Sequence, residues 1–397
     1  MAEILFLAHR IPYPPNKGDK IRSWNFLHHL TKKHKVHLGF FVDDKKDLEH
    51  ISMLENITQS LCFQYVSPLH QKILSLSGML TGQPLTLAAY PHSHMQRYVD
   101  SLIAKKSLDA AFVFSAAVGQ FIPQKCSFPV LTDLVDADSE KWAAYADKAK
   151  WPLSYIYSRE AKTLGAYELK LIQRSERTFL VSEQEANMLR PVAGVHKEKV
   201  IALKNGVDLS QFDPSKYTSN PDENLIIFSG AMNYQPNIEA VEWFCNDVWP
   251  LVQDAIPTAK FRIAGGPHHK RVDALATING VEVTGYVDDM ASEIAKACVA
   301  VAPLQTARGV QNKVLEAMAM AKSVVATSCA NEGIEADEGN TIWVTDDPSE
   351  FSTRLIALLN DKALAKKIGT AAREFVTKNF SWESSCKELD GYVQEIL

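Results

Sequence analysis

No apolar run in this chain reaches the eighteen or so residues that a membrane-spanning helix needs, and the longest candidate, residues 110–119, reads as a buried strand. The start, MAEILFLAHR, has no basic segment ahead of its apolar stretch and reads as a strand itself, so no secretion signal is expected. Cysteine is sparse and scattered. The six residues, Cys62, Cys126, Cys245, Cys298, Cys329 and Cys386, form no CxxC pair and no Cys/His ligand spacing. That pattern predicts reduced thiols in a cytoplasmic protein and no structural zinc. Repeats and low-complexity segments are absent, and no GxGxxG follows the first strand, which argues against a nicotinamide-dependent dehydrogenase. Strong positive charge is missing too: the formal net charge is −5, so a nucleic-acid partner is not expected.

What is present is the length and composition of a soluble globular protein, 397 residues that suffice for two ordinary domains. Charge is uneven along it. Residues 1–204 carry 26 Lys/Arg against 20 Asp/Glu, and residues 205–397 carry 16 against 27, a net of +6 and −11. A basic first half suits an anionic acceptor or membrane surface, and is equally what surface-charge scatter produces. Apolar strands at 3–8, 36–42, 61–66, 110–115, 129–134 and 178–181, then at 225–229, 260–264, 281–284, 298–302, 323–327 and 341–344, alternate with helical patterns. Two doubly wound parallel-sheet domains are predicted, with the boundary at the Asn-Gly of residues 203–208.

The densest signal lies at 302–327, APLQTARGVQNKVLEAMAMAKSVVAT. Val314, Leu315, Met318 and Met320 recur at helical spacing, and Val324, Val325 and Ala326 form a short apolar strand. Ahead of the helix, Arg308, Gly309, Gln311, Asn312 and Lys313 bring backbone amides, a permissive glycine and two cations to a helix N-terminus, an arrangement that attracts phosphates. Glu316 sits one turn in, where it can face the same ligand. A capped helix with surface charges reads the same way.

Other loops are weaker. The first strand runs into His9-Arg10 and then Pro12-Tyr13-Pro14-Pro15-Asn16-Lys17-Gly18-Asp19-Lys20-Ile21-Arg22, where Gly18 lets a ligand approach the backbone and Lys17, Lys20 and Arg22 add positive charge. Gly230 and Asn233 follow the first strand of the second half; Gly265 follows the next and is as readily a plain turn. Asp136 and Asp138 lie in the densest acidic cluster of the first half, where a base for an acceptor hydroxyl and a helix cap are alternatives. Two segments admit both a core and a membrane reading: the helical face Leu69, Ile73, Leu76 and Leu80, and the aromatic, basic 151–177 stretch with Tyr155, Tyr157, Lys162, Tyr167, Lys170 and Arg174.

The 302–327 stretch resembles the nucleotide-sugar signature of retaining GT-B glycosyltransferases of family 4, two glutamates with seven residues between them, with Glu316-Ala317-Met318-Ala319 matching the second half and Arg308 standing at the first glutamate. The NGVD at 205–208 is similar to that family's interdomain segment, and the RGVQNKVLEAMAM variant most resembles sugar transferases of bacterial exopolysaccharide and exosortase (PEP-CTERM) systems. The resemblance implies a GT-B fold, two Rossmann-like domains (1–203 and 204–380) facing across a cleft, with a C-terminal helix (381–397) crossing back to the first. It implies a cytoplasmic retaining enzyme, peripheral on the inner membrane where its acceptor is lipid-linked, that moves a sugar from a nucleotide diphosphate to a glycan or lipid-linked acceptor. No metal and no other cofactor are expected. On this footing Arg308 and Lys313 neutralise the departing diphosphate and Glu316 holds ribose. Gly18, Gly230, Asn233, Gly265, Tyr286, Val287, Gly309 and Asn312 complete the donor site, with Tyr286 and Val287 bracketing the base. Lys17, Asp19, Arg22 and Asp138 lie on the acceptor side, with Asp136 as a catalytic group. The family's histidine after the fourth strand is replaced by Ser115. A nucleotide-sugar 2-epimerase of the same fold, and a non-catalytic binding protein, are the alternatives.

Overall fold

The computed structural model describes residues 1–16, 18–217, 222, 224–307 and 309–397. Two compact units result, one formed by residues 1–204 with 386–397, the other by 205–385.

The first unit is a seven-stranded parallel sheet. Its strands are β1 (Glu3–Ala8), β2 (Lys35–Val42), β3 (Ser60–Tyr65), β4 (Ala110–Phe114), β5 (Val130–Val135), β6 (Arg177–Leu180) and β7 (Val200–Ala202). The spatial order β3-β2-β1-β4-β5-β6-β7 switches direction beside β1, which places the β1 and β4 loops at the crest where such sheets bind ligands. β1 and β4 are apolar on nearly every residue because helices cover both faces of the sheet. Strand β7 is the one the sequence pattern missed: Val-Ile-Ala is too short to stand out, and its pairing with β6 defines it.

The second unit repeats the plan with six strands: β8 (Leu225–Ser229), β9 (Lys260–Ala264), β10 (Val281–Gly285), β11 (Val299–Ala302), β12 (Ser323–Ala326) and β13 (Trp343–Val344), in the order β10-β9-β8-β11-β12-β13. One continuous core fills it, with the fully buried Trp249 packed on Phe244 and Phe261. The helix Trp382–Ile396 starts after Ser381, whose hydroxyl accepts from the Ser384 amide at 3.1 Å. From Cys386 onward it belongs to the first unit, where Asp390 accepts from His29 at 2.9 Å and the Tyr392 ring lies 5.2 Å from Phe179. Among the described residues no helix is long and apolar enough to cross a membrane.

The 302–327 stretch folds as its pattern predicts, as β11, a loop, the helix Asn312–Ala319 and β12. Buried Val314, Leu315, Ala317, Met318 and Ala319 anchor the helix on the sheet and leave its first turn at the carboxyl end of the strands. Of the two segments that admitted a membrane reading, the 151–177 stretch is divided, with Trp151 and Tyr155 in solvent and its later part packed. Tyr167 and Arg174 turn inward, with the Arg174 guanidinium donating to the Ile122 carbonyl at 3.0 Å and the Tyr167 hydroxyl lying against Gly119. Leu69, Ile73, Leu76 and Leu80 stay in solvent.

Candidate active site

In the second unit the Asn312–Ala319 helix begins without a side-chain cap: Gln311 occupies the N-cap position and makes no capping hydrogen bond. Its first-turn amides therefore have no side-chain acceptor from the cap residue, which leaves a donor set suited to an anion. Lys313 extends over the Phe228 ring, 5.7 Å from its centroid, and its ammonium lies 3.5 Å from Gln311 Oε1. Burial pulls the Lys313 ammonium down to about 8, with the Glu316 charge working against it. Burial likewise pushes the Glu316 carboxyl up to about 7, and Lys313 only partly offsets that. Both groups are thus brought to titrate near neutral pH in the free protein, as expected where a ligand completes the electrostatics.

The floor of this site is backbone. Gly230 donates to the Ala264 carbonyl at 2.9 Å, Gly265 to the Gly285 carbonyl at 3.0 Å, and Met232 to the Gly266 carbonyl at 3.2 Å, so the ends of β8, β9 and β10 are laced together. Gly265 has φ +127°, and a Cβ there would stand 2.1 Å from the Gly230 carbonyl oxygen; no other residue fits. At Gly230 a Cβ would meet Asn237 Nδ2 at 2.8 Å and Lys313 Cε at 3.4 Å, so the missing side chain is what admits the lysine. Asn237, which the sequence pattern does not single out as a ligand, is buried, donates to the Ala231 carbonyl at 2.9 Å and leaves its Oδ1 without a partner. Only its proximity to Gly230 reveals it. Tyr286 is 79% exposed at the end of β10, beside half-buried Val287, while Asn233 and Asn312 are exposed and Gly309 takes a left-handed φ of +66°. Arg308 lies outside the described residues.

In the first unit the expected residues divide. Arg22 is a correction: it does not face a ligand but is wholly buried, bidentate to Asp133 at 2.7 and 3.2 Å and donating to the Leu203 carbonyl at 2.8 Å. A guanidinium so enclosed holds β5 to the first-unit terminus and is closed to an acceptor. Lys20, also expected to add positive charge, is buried on Asp47 at 2.6 Å. Gly18 opens the Gly18–Thr31 helix in open space, with no atom within 4 Å of where a Cβ would stand. Lys17 lies outside the described residues.

Asp19, Asp136 and Asp138 do gather at the sheet crest. Asp19 accepts from Arg10 at 2.5 Å and stands 3.4 Å from His9 Nε2. Burial opposes its charge, yet the His9 hydrogen bond and the Arg10 guanidinium hold its carboxyl well below the usual range. Lys141 bridges Asp136 at 2.6 Å and Asp138 at 3.3 Å. Burial, reinforced by Asp136, raises the Asp138 carboxyl despite Lys141. Neither aspartate caps the Asp138–Lys148 helix through its side chain, since the N-cap position is Ala137. His9 stacks on Phe114 at 6.0 Å with its Nδ1 buried and unpartnered, an acid/base group that the sequence pattern does not mark. Ser115 and Val135 end β4 and β5 at φ +85° and +70°, a costly backbone for non-glycine residues that marks this crest. Among the described residues no group of three or more His, Cys, Asp or Glu side chains is arranged to hold a metal ion.

Residues 223–361 match the family described as "Glycosyl transferases group 1". That match spans β8 to β13 and the Asn312–Ala319 helix. The chain is accordingly a glycosyl-transferring enzyme. Over 394 residues it is 26% identical to an uncharacterized 44.6 kDa protein in the cps region of Klebsiella pneumoniae, covering 96% of this chain and 97% of that one. It is 27% identical to the sulfoquinovosyl transferase SQD2 of Arabidopsis thaliana over 59% of this chain and 48% of that one. Among solved structures, Anabaena HepE in complex with UDP-glucose superposes with a TM-score of 0.64 at 16% identity, over 100% of both chains. The two Rossmann-like units are those of the GT-B fold.

Proposed function

We propose that this glycosyltransferase is a retaining enzyme that takes a sugar from a nucleotide diphosphate and passes it to a glycan or lipid-linked acceptor in cell-surface polysaccharide synthesis. The observation that carries the reading is the Asn312–Ala319 helix end, uncapped by a side chain and flanked by desolvated Lys313 and Glu316 over a floor of glycine backbone. A diphosphate bound there meets aligned amides and one lysine whose proton it stabilises, so charge that develops on the leaving group is met by groups already in place. Glu316 accepts from the ribose hydroxyls. Arg308 is assigned from the sequence to the same phosphates, and Tyr286 and Val287 to the edge of the base.

The UDP-glucose bound by HepE supports a nucleotide-sugar donor, and the cps-region relative supports a polysaccharide locus, within which the exosortase-associated class is the finer assignment. On the acceptor side, Asp138 and His9 are the groups suited to proton traffic, since Lys141 holds Asp136 at 2.6 Å and Asp138 only at 3.3 Å. Leaving-group charge is assigned to protein groups, with no metal or other cofactor. Lys313→Ala and Glu316→Ala, each shown folded by circular dichroism, are expected to lose about 100-fold or more in transfer rate. Transfer at the wild-type rate by either variant refutes the site.

A further inference from the structure

The helix Pro68–Thr81 is inverted relative to an ordinary surface helix. Leu69, Ile73, Leu76 and Leu80 are 70, 59, 62 and 91% exposed. Their spacing places them within about 60° of one another, in a stripe roughly 16 Å long. Gly78, half a turn away from the stripe, is the buried residue, packed on the Gln83 carbonyl, Leu85 and Ala88. Leu74 also points inward, against the first-unit core. The fold is therefore satisfied on the opposite face, and four large aliphatic side chains are left over.

A second exposed apolar group adjoins this helix. Arg159, on the helix Leu153–Arg174, donates to the Gly78 carbonyl at 2.6 Å and to the Gln83 carbonyl at 3.1 Å, and its neighbour Glu160 accepts from the Leu85 and Thr86 amides at 2.6 and 2.9 Å. That clamp fixes the end of the 68–81 helix to the start of the 153–174 helix. One turn before Arg159 stands Tyr155, 64% exposed, and just ahead of the helix Trp151, 83% exposed, with Leu153 and Tyr145 also half or more in solvent. The charge around both groups has one dominant sign. No Asp or Glu occurs between Glu55 and Asp100, while Lys72, Lys148, Lys150 and Lys162 are exposed; across 140–162 the exposed acids are Glu140 and Asp147.

We propose that this face docks on an anionic lipid bilayer. The leucine and isoleucine stripe enters the acyl boundary, Trp151 and Tyr155 sit at headgroup depth, and the lysines meet anionic headgroups, the division of labour expected of an interfacial helix. Charge complementarity selects this occupant: a nearly acid-free apolar surface fringed by lysines matches a negative leaflet. Docking would hold the first unit where a lipid-linked acceptor resides, a consequence that rests on the proposed sugar transfer, whereas the docking itself does not.

The test is co-sedimentation of the full chain with vesicles of phosphatidylcholine alone and of equal phosphatidylcholine and phosphatidylglycerol. The wild type is expected to pellet with the mixed vesicles, less so as salt is raised. Ile73→Asp with Leu76→Asp should weaken binding about tenfold or more, and Lys148→Glu with Lys150→Glu should remove the preference for the anionic vesicles. Both variants should keep wild-type circular dichroism and donor affinity, which separates failure of docking from failure of the sugar-transfer site. Absence of wild-type pelleting, or equal pelleting by the Ile73/Leu76 variant, overturns the proposal. So does a wild-type dimer on gel filtration that this variant dissolves, since the stripe would then be a contact between copies of the chain.

Discussion

Buried charge is handled in opposite ways by the two units. In the first, Arg22 meets Asp133 at 2.7 Å and Lys20 meets Asp47 at 2.6 Å, each cation facing a carboxylate of the same unit. In the second, Lys313 and Glu316 lose solvent and, among the described residues, receive each other's field alone, and burial wins on both: the lysine falls to about 8 and the carboxyl rises to about 7. A cation closed off with a carboxylate partner locks elements of the fold, and removing one side leaves an uncompensated charge. A half-buried cation with no carboxylate at ion-pair distance among the described residues is a weak point of the free protein that a bound anion would offset. Charge in a sequence therefore says little about function until its partner is known.

The largest effect expected from breaking this contrast is in Arg22→Ala. It should destabilise the protein by about 3–5 kcal/mol in denaturant titrations, the cost of stranding buried Asp133. Lys313→Met should do the reverse, with stability unchanged or raised and donor affinity lost; a stability loss as large as that of Arg22→Ala would erase the distinction.

A smaller effect is expected in pH profiles of donor affinity. Lys313 must carry its proton to attract a diphosphate, so affinity should fall as pH rises through about 8 in the free protein. Glu316 must lose its proton to accept from ribose, so affinity should also fall as pH drops through about 7. Because the two groups are coupled, the profile reports the pair. Glu316→Gln should abolish the acid limb and keep the alkaline one, which calorimetry across pH would read; survival of the acid limb would reassign it.

Smallest is Gly18→Ala. No neighbour lies within 4 Å of the added methyl, so stability should change by less than about 1 kcal/mol. A marked loss of transfer in this folded variant would then report a ligand pressed against the backbone, and unchanged kinetics would remove Gly18 from the donor site.

How far the sequence reached depends on which physical signal was local. Twelve of the strands announced themselves as apolar runs between turn residues, and the Asn312–Ala319 helix as a periodic stripe, because burial on two faces or one imposes those periods. Strand β7 escaped because its three residues acquire meaning only beside β6. The helix start at Asn312 with Gly309 and Lys313 beside it was legible, since it is a local chemical arrangement. Asn237 and His9 were not, because an unpartnered buried atom is defined by what surrounds it. Arg22 was misread for the same reason: its partner, Asp133, is 111 residues away.

Local pattern thus determined the two parallel-sheet units, the phosphate-suited helix start and the glycines that floor it. Tertiary structure decided which cations are closed off with carboxylates and which are left for a ligand. It also decided that the 68–81 helix keeps its apolar stripe in solvent. Both are matters of burial and pairing, which depend on distances between residues far apart in the chain.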